Sequence, residues 1–255
     1  MSKLVSDQKI NSDPLVLFLH GYCEAGWIWD EVIKNLGNQY FCQAPDLPGF
    51  GKNSLLPEKI SVEAVAESIW KYLDEQHISK VILIGHSLGG YVALAMAELR
   101  SNAVRGLALV HSTPFADSEE KKENRNKVIR FVGENGSRLF LDQFAPGLFH
   151  VQSAEKALLF RKRIDDTSPG AIIYYAQAMR DRPDRSHVIK KSFFPVMAIC
   201  GKFDQIISAD ICSQIAGLGA QIETHQLEHS AHAGMLEEPL KTAEIIQRFL
   251  KKCIE

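Results

Sequence analysis

Gly85-His86-Ser87-Leu88-Gly89-Gly90 places a serine between glycines in a G-x-S-x-G spacing, after the apolar run Val81–Ile84 and before the helical pattern Tyr91 to Arg100. Between a strand and a helix this spacing makes a nucleophile elbow: a tight turn strains the serine backbone and exposes its hydroxyl. Gly85 and Gly89 remove side chains that would clash in such a turn, and Gly90, Ala93 and Ala97 let the helix pack close to a sheet. Ser87 is therefore the candidate nucleophile, placed beside a helix N-terminus whose dipole favours developing negative charge. His20-Gly21-Tyr22 follows another apolar run. A glycine there lets backbone approach the serine, so the N–H groups of Tyr22 and Leu88 are the candidate oxyanion hole. Asp46-Leu-Pro-Gly-Phe-Gly-Lys-Asn-Ser54 reads as a tight loop, with Asp46 bonding backbone rather than acting as an acid. His225, His229 and His232 have an H-x3-H-x2-H spacing that could supply three zinc ligands. One lies in a strand pattern and two in a loop, so no helix face unites them, and the expectation is no metal site. His86, next to the serine, is expected to pack or hydrogen-bond.

These residues need a scaffold. Leu15–Leu19, Tyr40–Ala44, Val81–Ile84, Gly106–Val110 and Val196–Cys200 are short apolar runs suited to buried parallel strands. Gln221–Leu227 alternates and suits a half-exposed edge strand. Helical patterns lie between. Trp29, Val32, Ile33 and Leu36 share one face before Gly37, and Ser61 can cap a helix striped by Val62, Val65, Ile69 and Leu73. Pro239 can open a terminal helix with Leu240, Ala243, Ile246 and Phe249 or Leu250 inward. Strands alternating with helices imply an α/β fold with a mostly parallel sheet of about six strands, flanked by helices. From about residue 114 to 190 no strand pattern occurs, and Asp117 to Val132, Ser153 to Ile164 and Pro169 to Arg182 read as helices. The expected organisation is a core of residues 1–113 and 191–255 with a helical cap, 114–190, inserted into it.

Composition bounds the function. The chain has 255 residues and a net charge of -2, with no concentration of positive charge to engage a nucleic-acid backbone. No apolar run approaches the roughly 18 residues that span a bilayer. The first residues lack the apolar segment of a signal peptide. The five cysteines include no CxxC pair; Cys42 and Cys200, inside apolar runs, read as small core hydrophobes, and the expected setting is reduced and cytoplasmic, without disulfides. Between residues 114 and 190 there are 14 Lys or Arg and 11 Asp or Glu. That excess would suit an acidic carrier protein or an anionic acyl group, but it reads more simply as a solvated helical face.

The combination of His-Gly after a strand, D-x-P-G-x-G-x-S at 46–54 and G-H-S-L-G-G at 85–90 resembles the α/β-hydrolase superfamily. More narrowly, it is similar to the cap-bearing esterases, lactonases and carbon–carbon hydrolases. The resemblance covers about residues 13–112 and 190–250. Only Lys3 to Ile10 precedes residue 15 as a possible strand, so one or both of the family's usual first two strands are expected to be missing. The resemblance implies an acid after a late strand, and Gly201-Lys-Phe-Asp204 matches its strand-G-x-x-D pattern, with Ser208 where proline is usual. An acid after the strand ending near Val110 is the family's other option. His111, Ser112, Thr113 and Pro114 include no carboxylate, so that option fails here. The resemblance also implies a histidine five residues before a Glu, with proline soon after, which selects His232, with Glu237 and Pro239, over His229.

The implied catalytic set is Ser87, Asp204 and His232, with Tyr22 and Leu88 at the oxyanion. The implied activity is hydrolysis of a small-molecule carboxylic ester through an acyl-enzyme, with no cofactor and no metal. A serine at 87 argues against dehalogenase and epoxide hydrolase chemistry, which need an alkyl ester on a carboxylate. Thioesterase, lactonase, C–C hydrolase and perhydrolase activities use the same residues. The alternative from another class is a ligand-binding or signalling protein on this fold, with slow or no turnover.

Overall fold

The computed structural model describes residues 14–219 and 221–254. In chain order the elements are β1 (Leu15–Leu19), α1 (Asp30–Leu36), β2 (Cys42–Gln43), α2 (Val62–Glu75), β3 (Val81–His86), α3 (Leu88–Leu99) and β4 (Val104–Val110). Then come α4 (Glu119–Asn135), α5 (Ser137–Phe144), α6 (Ala154–Arg163), α7 (Pro169–Asp181) and α8 (Ser186–Lys190). The chain closes with β5 (Val196–Gly201), α9 (Ala209–Ala216), β6 (Ile222–Leu227), α10 (Gly234–Glu237) and α11 (Pro239–Ile254). The possible strand in Lys3 to Ile10 lies outside the described residues.

All six strands are parallel, in the order β2-β1-β3-β4-β5-β6. β1 and β3 are buried along their whole length, which is why they read as unbroken apolar runs. β6, at one edge, is mostly half-exposed and alternates. β2, at the other edge, is shorter than Tyr40–Ala44 suggests, because it meets only β1 and holds just two register pairs. The chain winds outward from β1 to β2 and then resumes on the other side with β3. That reversal opens a crevice at the carboxyl ends of β1 and β3, where ligands bind in open α/β sheets. Register pairs Leu19 with Gly85, so the segment after β1 lies beside the turn after β3.

Local signals behave as their chemistry requires. Ser61 Oγ accepts the Ala64 N–H at 3.1 Å to cap α2. Gly37, at φ 70°, ends α1. α11 begins at Pro239 and buries Ala243, Ile246, Phe249 and Leu250. Leu240 does not join them: it is 70% exposed, because at the helical period it falls on the side away from the buried stripe of Thr242, Ala243, Ile245, Ile246, Phe249 and Leu250. Among the described residues no helix is long and apolar enough to cross a membrane.

The expectation of no disulfide is corrected. Cys200, at the end of β5, and Cys212, in α9, form a disulfide. The 12-residue separation carries no sequence signature. Only the return of α9 against β5 brings the sulfurs together. Cys23, Cys42 and Cys253 are free.

A helical insertion, α4 to α8, separates β4 from β5. Of its helices, α5 and α8 had no clear pattern in the sequence. Its two ends are tied at Pro114, whose carbonyl accepts the Arg185 N–H at 2.7 Å. Nearby, Arg182 pairs with the buried Asp117 at 2.8 Å and lies 3.8 Å over the Tyr91 ring of α3. The Arg185 guanidinium reaches Glu98 of α3 and Glu63 of α2. Tyr175 stacks on Phe50 with ring centroids 4.7 Å apart and donates its hydroxyl to the Pro48 carbonyl at 2.7 Å. The insertion is thus anchored to the core by buried polar contacts as well as rings.

Candidate active site

Ser87 sits between β3 and α3 with φ 48° and ψ −115°, a strained conformation for a residue with a side chain. Its surroundings hold it there. The Ser87 N–H donates to the Val110 carbonyl at 3.0 Å, and the Ser112 hydroxyl donates to the Ser87 carbonyl at 2.7 Å. The flanking glycines are steric necessities. A Cβ on Gly85 would lie 2.5 Å from the Gly89 carbonyl oxygen, and one on Gly89 would lie 2.3 Å from that of Leu19. The strain lifts Ser87 out of the buried turn, so it is partly exposed while its neighbours are buried.

Asp204 and His232 come together from the loops after β5 and β6. His232 Nδ1 lies 2.8 Å from Asp204 Oδ2, and both residues are buried. The other carboxylate oxygen accepts the N–H groups of Ile206 at 2.8 Å and Ile207 at 2.9 Å. Burial alone would raise the Asp204 carboxyl. The hydrogen bonds from His232 and His111, with the positive charge that His232 can carry, outweigh it and hold the group well below the usual carboxylate range. The Glu five residues on now has a physical role. Glu237 accepts the Ala231 N–H and the His150 N–H, each at 2.8 Å, and so clips the histidine loop to the helical insertion. The Leu148 carbonyl takes the N–H groups of His232 and Ala233 at 2.9 and 3.0 Å. Among the described residues no hydrogen bond joins the Ser87 hydroxyl to His232. That contact is often long in a free hydrolase and tightens with substrate.

The Tyr22 and Leu88 backbones lie at the same crevice. Leu88 opens α3, where the first N–H groups have no helical acceptor. Among the described residues neither the Tyr22 nor the Leu88 N–H has a protein partner. The loop after β1 is set by His20, whose Nδ1 donates to the Gly21 carbonyl at 2.9 Å and whose Nε2 accepts the Leu47 N–H at 2.8 Å. Burial lowers the His20 pKa, in keeping with this neutral arrangement. The Tyr22 ring meets Phe140 and Phe144 of α5, at 6.1 and 5.6 Å between centroids.

Behind the crevice lies a buried pair whose Glu24 had no signal in the sequence. His86 Nδ1 donates to Glu24 at 2.8 Å and Nε2 donates to the His232 carbonyl at 2.9 Å. Both ring nitrogens face acceptors, so the imidazole is doubly protonated against an ionised Glu24. Burial opposes both charges, but mutual attraction and hydrogen bonding overcome it, raising the His86 pKa and lowering that of Glu24. Glu24 also accepts the Gly21 N–H at 2.6 Å, so the pair joins the loops after β1, β3 and β6. Glu24→Gln strands the His86 charge and is expected to cost about 3 kcal/mol by urea denaturation at neutral pH. The His86 contribution is complete below its unfolded pKa and is lost as pH rises through its elevated folded pKa. That of Glu24 is present above its unfolded pKa and is lost as pH falls through its depressed one. The stability gap between wild type and variant should therefore narrow at both extremes of pH.

Other expectations resolve simply. Asp46 bonds backbone, accepting the Gly26 and Lys52 N–H groups at 2.8 Å each. His225 bonds Glu223 on β6 at 2.6 Å, and His229 is exposed. The His225, His229 and His232 spacing therefore does not converge on one point. Among the described residues, the group of metal-ligating types lying within 4.8 Å of one another is His111, Asp204 and His232. There both imidazoles face the same carboxylate oxygen. In the sequence His111 stands only as a position without a carboxylate after β4, and its contact with Asp204, 93 residues away, has no local signature.

Comparison with known proteins agrees with this architecture. Over 248 residues the chain is 25% identical to the pimeloyl-[acyl-carrier protein] methyl ester esterase of Methylococcus capsulatus, covering 93% of this chain and 94% of that protein. A thermophilic esterase from Thermogutta terrifontis superposes with TM-score 0.89 at 26% identity, covering 96% of this chain and 92% of that one. The enol-lactonase of Burkholderia xenovorans shares the fold at TM-score 0.85 and 16% identity, covering 96% and 94%. Residues 14–239 match the family described by the alpha/beta hydrolase fold, and the chain belongs to that family.

Proposed function

We propose that the protein is a serine hydrolase of carboxylic esters, with Ser87 as nucleophile, His232 as general base and acid, and Asp204 as the residue that orients the imidazole. The observation that carries this reading is the buried Asp204–His232 pair, 2.8 Å apart, at the crevice where the strained Ser87 is partly exposed. With Nδ1–H committed to Asp204, His232 has Nε2 free to take the serine proton. Ser87 Oγ then attacks the ester carbonyl, and the N–H groups of Tyr22 and Leu88 receive the developing oxyanion. His232 passes its proton to the departing alkoxide, leaving an acyl-enzyme. Water, deprotonated by the same histidine, releases the acid and restores the serine.

Residues 114–190 are read as a cap over this crevice. Phe140 and Phe144, against Tyr22, are the proposed wall of the acyl pocket. The relative from Methylococcus capsulatus is named as an esterase of a carrier-bound methyl ester, which makes such an ester one substrate to include. The test is a turnover screen of nitrophenyl esters of rising chain length, with a thioester, a lactone and an amide alongside. Measurable kcat/KM on short esters supports the reading. Binding of ligands without turnover on any ester would favour the non-enzymatic alternative. Phe144→Ala is expected to raise kcat/KM for an octanoate relative to an acetate by about tenfold, the worth of one or two methylenes in an apolar pocket.

A further inference from the structure

His111 follows β4 in the left-handed region, at φ 49°, with its N–H donated to the Ile199 carbonyl at 2.8 Å. Its ring is fully enclosed, and Nδ1 lies 3.1 Å from Asp204 Oδ2, the oxygen that also takes His232. The Nε2 atom is buried without a partner, and a Cβ on Gly234 would lie 2.3 Å from it. Only one ring nitrogen meets an acceptor. A proton on Nε2 would be orphaned, so the geometry selects the neutral Nδ1–H tautomer. Burial pushes the His111 pKa down to about 4, against the opposing pull of Asp204, which keeps the ring neutral at ordinary pH. His86 is the contrast, with acceptors on both nitrogens.

Asp204 therefore has four donors for its two oxygens: two backbone N–H groups on Oδ1 and two imidazoles on Oδ2. We propose that His111 is a positioning residue, resting on the Ser-His-Asp reading above, which locks the Asp204 carboxylate and takes up part of the negative charge that would otherwise fall on His232. A hydrogen bond to an ionised carboxylate stabilises the anion and lowers its basicity. Without the His111 donor, Oδ2 would hold the His232 Nδ1–H more strongly and favour the imidazolium, which cannot accept the serine proton. The carboxylate would also be freer to turn. Other charged groups approach from each side but leave Oδ2 to the two histidines. They are the His86–Glu24 pair behind His232 and Lys121 of α4, whose Nζ donates to the Ile206 carbonyl at 3.4 Å, with Asp117, Arg125 and Arg182 beyond it.

Two measurements test this. In the 15N-labelled wild-type protein, the imidazole nitrogen spectrum of His111 should show a neutral Nδ1–H ring from about pH 5.5 to 8.5, the span in which histidines commonly change charge. An Nε2–H tautomer or an imidazolium overturns the proposal, and this measurement needs neither turnover nor a variant. The second compares His111→Leu, which removes the donor, with His111→Asn, whose amide N–H can replace Nδ1–H and whose side chain tolerates positive φ. His111→Leu should raise the acidic midpoint of kcat/KM by about 0.5–1 unit, the size of one lost hydrogen bond to the charged form, and lower kcat about tenfold with KM within about twofold. His111→Asn should keep the wild-type midpoint. An unmoved midpoint in His111→Leu, or an equal shift in His111→Asn, overturns the proposal. Should the leucine variant not fold, the asparagine profile and the wild-type spectrum decide. If Ser87→Ala stays active, the hydrolase reading fails while the His111 spectrum still reports on the carboxylate contact, so the two failures are distinguishable.

Discussion

Ser87→Ala is expected to lower ester turnover by about 10³-fold or more, the scale seen when a member of such a triad is removed. The fold should persist. The substitution deletes one hydroxyl, and alanine at φ 48° bears about the same backbone strain as the serine it replaces. The N–H donated to Val110 and the carbonyl bonded by Ser112 both remain. Steady-state kinetics on a short nitrophenyl ester, together with thermal melts of both proteins, would check this. A variant with an unchanged melting temperature and a tenth of the wild-type rate would remove Ser87 from the chemistry. A fluorophosphonate should label the wild type and not the variant, but labelling shows a nucleophile and does not measure useful turnover.

The two histidines of the loop after β6 should separate just as sharply. His232→Ala is expected to abolish nearly all turnover, because it removes the imidazole that faces Asp204 at 2.8 Å. His229→Ala should retain at least about a tenth of wild-type kcat, since removing an exposed side chain away from such features rarely matters. The His229 N–H contact with Glu238, at 2.9 Å, belongs to the backbone and survives the substitution. The reverse pattern would mean that the histidine assignment is three residues out. Acidification should slow the wild type, because a protonated imidazole cannot accept the serine proton. A rate that stayed constant down to pH 4 would contradict a histidine base.

The legible part of this protein was the part written in local chemistry. An elbow needs glycines two residues from the serine on either side, and that requirement shows within the five residues from Gly85 to Gly89. Buried parallel strands need apolar side chains on both faces, so β1, β3, β4 and β5 announced themselves. The edge strand β2 did so less well, because half-exposed residues obey weaker rules. Asp204 and His232 were legible through a resemblance. The contacts of Glu237 with Ala231 and His150 supply a physical reason for the spacing around His232.

Glu24, His111 and the Cys200–Cys212 bond were not legible, for a common reason. Each acts on a partner separated from it in sequence, and neither partner's local pattern changes because the other exists. His86 and Glu24 are 62 residues apart, His111 and Asp204 are 93 apart, and the two cysteines are 12 apart without a motif. Residue type and spacing determined which strands form, where the serine turns and which loops face the crevice. The tertiary structure decided which buried histidine is charged and which is neutral. Protonation follows from the acceptors around each ring, and those are assembled only when the loops after β1, β3, β4, β5 and β6 meet at one end of the sheet.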